Sequence, residues 1–141
     1  GGRGYAGSSR AAGYGSKSMD DILSHAEEST VLIAQIEDKE ALAEIDSIAA
    51  TKGLDALFIG MMDLTVALGC DNYRDTKVQD AVTMILEAAK KAGKPVGLFT
   101  PSLEDIPAYR EKGASLFLLG SDHAFMLSGA RILSEKVRNL F

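Results

Sequence analysis

Short, nearly continuous apolar runs recur along this chain at Val31–Ile36, Ala56–Ile59, Val96–Phe99 and Ser115–Leu119. Runs of that length with little polar alternation predict β-strands covered on both faces. Between them the apolar spacing switches to a helical period. Lys39–Thr51 places Leu42, Ile45, Ile48 and Ala49 on one face and stops at Gly53, which predicts an amphipathic helix. Leu64–Leu68 predicts a helix of one or two turns, and Val78–Lys91, stopped by Gly93, a longer one. Glu104–Lys112 and Ala124–Leu140 complete the series. Ahead of the first strand, Ser18 is placed to cap a helix over Met19–Glu28, with Asp20 and Asp21 in the first turn where the helix dipole favours acids. Residues 1–18 are rich in Gly, Ser and Arg without apolar periodicity, and read as a loop segment whose length in a compact domain points to function or to fragmentation.

Strict β-α alternation implies a parallel sheet with right-handed crossovers. Four such units make half of a (β/α)8 barrel or one half of an open doubly wound sheet. An isolated half barrel leaves two long sheet edges unpaired, so the pattern predicts an α/β fold in which this chain supplies the last four βα units of a (β/α)8 TIM barrel. The chain opens at Gly1-Gly2 without Met, which predicts a processed protein or the back portion of a longer one.

With 141 residues, 46% of them hydrophobic, the chain has material for one ordinary domain with a real core, residues 19–141 following the loop segment. A net charge of −5 with interspersed signs argues against nucleic acid or a membrane surface as partner. No apolar stretch is long enough to span a bilayer, and no secretory pattern opens the chain. The single cysteine, Cys70, rules out an internal disulfide framework and predicts a reducing, cytoplasmic location.

Two of the apolar runs end abruptly in an acid: Ile33-Ala-Gln-Ile-Glu37 and Leu57-Phe-Ile-Gly-Met-Met-Asp63-Leu64. A buried parallel strand that stops at an acid delivers it to the strand's C-terminal end, where α/β proteins bind ligands. Two carboxylates brought there from neighbouring strands offer oxygen ligands to a hard divalent cation. The alternative is that Glu37 caps a helix and Asp63 caps or ends a turn. After the second run, Gly60-Met61-Met62-Asp63 leads into a helix, so the amides of Met62 and Asp63 can cradle a carboxylate while Gly60 allows close approach. A 2-oxo acid, with a carboxylate beside a carbonyl, matches that pairing.

At these residues the chain resembles the HpcH/HpaI aldolase family of metal-dependent pyruvate aldolases. Gln35-Ile36-Glu37 with Gly60-x-x-Asp63-Leu64-Thr65 is similar to the family's metal-binding pair. Gly2-Arg3-Gly4 and Arg10-Ala11-Ala12-Gly13-Tyr14-Gly15 resemble the preceding segment, and Gly93-Lys94-Pro95-x-Gly97 and Leu119-Gly120-Ser121-Asp122 the last two strands. The family usually has Pro where Met61 stands. The resemblance implies Glu37 and Asp63 as ligands of a divalent ion (Mg, Mn or Co), and Gly60, Met62 and Asp63 as the substrate cradle. It implies cleavage of a 4-hydroxy-2-oxo acid to pyruvate and an aldehyde through a metal-bound enolate. It further implies a homo-oligomer, often a hexamer, with residues 124–141 exchanged between subunits. The general-base His and pyruvate-facing Arg belong to the first half of such a barrel, so no catalytic residue is assigned here and the fragment alone is expected to be inactive.

Other candidates sit around this pair. Arg3, flanked by glycines, can reach a carboxylate bidentately, and Leu98, Phe99 and Ser121 at the third and fourth strand ends are candidate pocket walls. His25 reads as a surface residue, and His123 opens the last helix at the catalytic end beside Asp122, which serves that helix's first turn. Three rival functions remain at this level. They are a citrate-lyase-like acyl-CoA lyase, a non-catalytic α/β assembly module, and a phosphate-binding regulator using Thr100-Pro101-Ser102.

Overall fold

Four strands pair in parallel, in chain order, to form one sheet: β1 (Ile33–Ile36), β2 (Ala56–Ile59), β3 (Val96–Phe99) and β4 (Leu116–Leu118). This computed structural model describes residues 4–141, so Arg3 lies outside it, and the chain divides into two units at Val31 and Leu32. In the first unit, Ser18 caps α1 (Met19–Ser29) as its sequence requires, its hydroxyl accepting from the Asp21 amide at 3.1 Å and donating to the Asp21 carboxylate at 2.6 Å. The loop before it contains one 3-10 turn, Gly13–Gly15, with Tyr14 in the left-handed region at φ 54°.

In the second unit the helices are α2 (Lys39–Ala43), α3 (Ile45–Ala49), α4 (Met61–Ala67), α5 (Thr76–Lys91), α6 (Ile106–Glu111) and α7 (Asp122–Arg138). Three differ from the sequence expectation for identifiable reasons. The helix expected over Lys39–Thr51 is broken at Glu44, which leaves helical geometry at φ −107° and ψ 15°. Ser47 bonds back to the Glu44 carbonyl at 2.8 Å, a local competitor of the helical ladder. The helix expected from Glu104 starts as a 3-10 turn over Leu103–Asp105 and becomes α only at Ile106, where Pro107, lacking an N–H, fits the first turn. Most consequential for the site, α4 begins at Met61 rather than Leu64, which puts Asp63 in its first turn.

Strand register separates the sheet's two faces. Ile36, Ile59 and Leu98 form one row, and Gln35, Phe58, Gly97 and Leu116 form a row on the opposite face. The first face is the core: Ile36, Leu57, Ile59, Val96 and Leu98 are buried in one cluster with Ile45, Leu64, Val78, Val82, Ile85 and Tyr109 from α3 to α6. The second face stays open, with Ile33, Leu116 and Leu118 exposed by 43%, 45% and 52%. Coverage on both faces was expected, and only one face is covered. A doubly wound sheet places helices on both sides. Helices on one side, and an apolar second side, are the arrangement of barrel staves with an inward face. On that face a Cβ at Gly97 would meet Phe58 Cδ2 at 2.9 Å and Leu116 Cδ2 at 3.0 Å, so the glycine makes room for its two larger neighbours.

Candidate active site

Both carboxylates singled out above escape the capping roles that would have explained them away. Asp38, not Glu37, caps α2, accepting from the Ala41 amide at 2.7 Å. The N-cap of α4 is Gly60, and no side chain caps that helix. Glu37 follows directly on β1 and is half-buried, and the Gln35 side-chain amide donates to its Oε2. Gly60, at the end of β2, is packed against that carboxylate. A Cβ there would stand 2.7 Å from Glu37 Cβ, 2.9 Å from Glu37 Oε2 and 3.1 Å from Gln35 Nε2. The Gly60 backbone is at φ −80°, so the glycine is required by space and not by conformation.

A cavity of about 210 Å³ opens beside this contact, and Gln35, Gly60, Met62, Asp63, Tyr73 and Phe99 are among its lining residues. Its lining therefore includes Asp63 and Gln35, and Glu37 stands just behind it, reached by the Gln35 side-chain amide and packed against Gly60. Among the described residues, no group of three or more His, Cys, Asp or Glu side chains is gathered to hold a metal. Two carboxylates supplemented by substrate and water oxygens are instead how magnesium-type ions are usually held, so the donor set fits a hard divalent ion. The first intrahelical bond of α4 runs from the Leu64 amide to Gly60 O at 2.9 Å, which leaves the amides of Met61, Met62 and Asp63 as that helix's orphan donors.

The remaining candidates separate. Leu98, predicted as a pocket wall, is fully buried on the helix-packed face, and its neighbour Phe99, pointing the other way, lines the cavity instead. Ser121 does not line the cavity; it caps α7, accepting from the Ala124 amide at 3.4 Å. His123 is exposed and held by Ser121 Oγ at 3.1 Å and Asp122 Oδ1 at 3.3 Å. His25 is exposed on α1, its Nδ1 2.8 Å from the Asp21 carbonyl. The hydroxyls of Thr100 and Ser102 are engaged in their own turn, Thr100 donating to Ser102 O at 3.0 Å and Ser102 accepting from the Glu104 amide at 3.3 Å. Burial, then the neighbouring Asp75, pushes the Cys70 thiol up, away from thiolate chemistry.

Sequence reasoning did not single out Gln35, Phe58 or Tyr73 as parts of the cavity wall. Tyr73 donates its hydroxyl to Asp105 Oδ2 at 3.0 Å, and Arg74 Nη2 lies 3.1 Å from each Asp105 oxygen. The Arg74 hydrogen bonds, outweighing desolvation and helped by Tyr73, hold the Asp105 carboxyl below its usual range. A depressed folded-state value stabilises the fold above the unfolded value of about 3.9 and stops doing so as pH falls through the folded one. Asp105→Asn is therefore expected to lower Tm at pH 7, with the gap from wild type closing in melts taken below about pH 4. A gap unchanged between pH 7 and pH 3 would contradict the ion pair's role.

Parallel βα units with α3 to α6 packed on one face of the sheet define a stretch of a β/α barrel, with Glu37 directly after β1 and Asp63 in the first turn of the helix after β2. Comparison with known proteins carries this further. The sequence profile of the HpcH/HpaI aldolase/citrate lyase family matches residues 4–128, and the chain belongs to that family. It is 37% identical over 138 residues to a hydroxypyruvate/pyruvate aldolase of Paraburkholderia phytofirmans, covering 97% of this chain and 52% of the relative. A 5-keto-4-deoxy-D-glucarate aldolase of Enterobacter sp. is 34% identical over 137 residues, 96% of this chain and 53% of its own length. Among solved structures, an HpcH/HpaI aldolase/citrate lyase family protein from Burkholderia cenocepacia superposes with a TM-score of 0.85 at 36% identity, covering 96% of this chain and 52% of that one. The chain spans about half the length of the relatives it matches.

Proposed function

We propose that this chain carries the metal- and carboxylate-holding half of a divalent-metal-dependent aldolase, one that cleaves a 4-hydroxy-2-oxo acid to pyruvate and an aldehyde. The observation that carries this reading is the close packing of Gly60 against Glu37, which brings the ends of β1 and β2 together beside a cavity lined by Gly60 and Asp63. Glu37 and Asp63 would hold the ion, with Mg, Mn or Co as candidates. When bound, such an ion withdraws electrons from the 2-oxo group of the substrate as a Lewis acid.

The chain's own groups do the rest of the binding. The orphan amides of Met62 and Asp63 receive the substrate carboxylate, assisted by the positive end of α4. Gln35 donates to Glu37, fixing the carboxylate's orientation as an outer-shell partner does. Phe58 and Phe99 give the cavity apolar lining. The proton-moving base would lie outside these residues, in the first half of the barrel that the family resemblance implies. Among the described residues no helix is long and apolar enough to cross a membrane, and we propose a cytoplasmic enzyme. The exposed apolar residues of α7, among them Phe125, Leu133 and Val137, favour a homo-oligomer in which that helix packs on another subunit.

The test is an assay of pyruvate release by the full-length protein from a 4-hydroxy-2-oxo acid, with and without a chelator. Activity lost on chelation and restored by added Mg, Mn or Co is the expected result. Undiminished pyruvate release in chelator overturns the reading.

A further inference from the structure

Helix α4 carries Asp63 on seven residues and has no side-chain cap at its N-terminus. Such a short helix does not hold its own first turn, so what fixes Met61–Asp63 must come from outside it. The structure supplies a continuous polar chain. The buried Tyr109 hydroxyl, from α6, donates to Met61 Sδ at 3.4 Å. Gln79, on α5, donates one side-chain N–H to that same hydroxyl at 3.1 Å and the other to the Tyr73 carbonyl at 2.8 Å. Tyr73 is tied in turn to Asp105, and Asp105 to Arg74.

Both of the Gln79 amide hydrogens are thus committed, and the chain has a distinctive pair of endpoints. Met61 and Tyr73 both line the cavity, one as the first residue of the helix that bears Asp63 and the other as the wall beyond it. Apolar packing could have filled the space between α4, α5 and α6 at no cost in unmet hydrogen bonds. A polar chain that runs from the buried Tyr109 hydroxyl out through the half-buried Gln79 and Tyr73 instead favours one arrangement over its neighbours.

We propose that Gln79 and Tyr109 are positioning residues that set the first turn of α4, and through it the Asp63 carboxylate, for the divalent ion; the inference rests on the aldolase reading above. Neither touches the ion. Their effect is on how well the site is prepared for it.

The test measures Mn2+ affinity of the full-length protein by electron paramagnetic resonance, alongside Tm and pyruvate release, for Gln79→Met, Tyr109→Phe and the double variant. Each single change is expected to weaken Mn2+ binding roughly 10-fold, the lower end of what losing an outer-shell partner costs. The double variant is expected to be little worse than either single one, because both changes cut one chain. A merely structural role would lower Tm and leave Mn2+ affinity alone. Affinity within about twofold of wild type in both single variants would therefore overturn the proposal, whatever Tm does. If one variant does not fold, the other carries the same readout. The two readings fail separately. Weakened Mn2+ binding with no chelator-sensitive pyruvate release in wild type sinks the aldolase and leaves the positioning role standing. Unchanged Mn2+ binding with normal activity does the reverse. A wild-type protein that binds no Mn2+, and whose pyruvate release no added Mg, Mn or Co restores after chelation, overturns both.

Discussion

Glu37→Gln in the full-length protein is expected to lower kcat/KM for pyruvate release by about 10³-fold or more, equivalent to about 4 kcal/mol of transition-state stabilisation. The substitution keeps the side chain's size and its contact with Gly60, and removes only the charge. A neutral amide is a poor ligand for a hard cation, and the Gln35 amide would then face a group with an N–H of its own. The fold should be unaffected, because Glu37 caps no helix and Asp38 takes that role. Steady-state kinetics at several metal concentrations, together with Tm, check the prediction. A variant with near wild-type kcat/KM at low metal would show that Glu37 is a solvated acid and no ligand.

The second large effect is expected at a residue with no chemistry of its own. Gly60→Ala adds one methyl group at a point 2.7 Å from Glu37 Cβ and 2.9 Å from Glu37 Oε2, both too close for real atoms. Glu37 must give way, or the end of β2 must move and carry α4 with it. The backbone itself tolerates alanine, since Gly60 is at φ −80°, so the strain is confined to the site. Overpacking of this kind costs about 1–3 kcal/mol, which permits a folded protein. Misplacing a metal ligand by about 1 Å is expected to cost roughly 100-fold in kcat/KM. Kinetics paired with a thermal melt distinguish this from global unfolding. Activity within about twofold of wild type would mean that the Glu37 carboxylate does not need the position it holds.

Much of this architecture is readable from residue pattern because its strands are apolar on both sides and its connections are helical. The runs at Ala56–Ile59 and Val96–Phe99 coincide with β2 and β3. What pattern does not convey is which side of the sheet is covered. Phe58 and Leu116 are as apolar as Leu57 and Leu98, yet the register places them on the open face. The start of α4 was misplaced for a related reason. Met61 and Met62 extend the apolar run past the end of β2 at Ile59, and only the backbone shows that they already belong to the helix.

The candidate site was legible where an acid interrupts an apolar run. Its other walls were not. Gln35 looks like an ordinary strand residue until its amide is seen on Glu37. Tyr73 and Gln79 lie just before and at the start of α5, and Asp105 and Tyr109 at the start of α6, far apart in the chain. Only folding makes them one chain of hydrogen bonds. Leu98 and Phe99 show the sharpest limit. Both sit at a strand end, and the alternation of side chains sends one into the core and the other into the cavity.

Glu37 and Asp63 together are proposed to hold one divalent ion. Titration of the full-length protein with Mn2+, followed by electron paramagnetic resonance, tests this without reference to any substrate. One tight site per subunit is expected, weakened beyond detection in Glu37→Gln and in Asp63→Asn while both variants stay folded. Tight binding that survives in either variant would contradict that assignment.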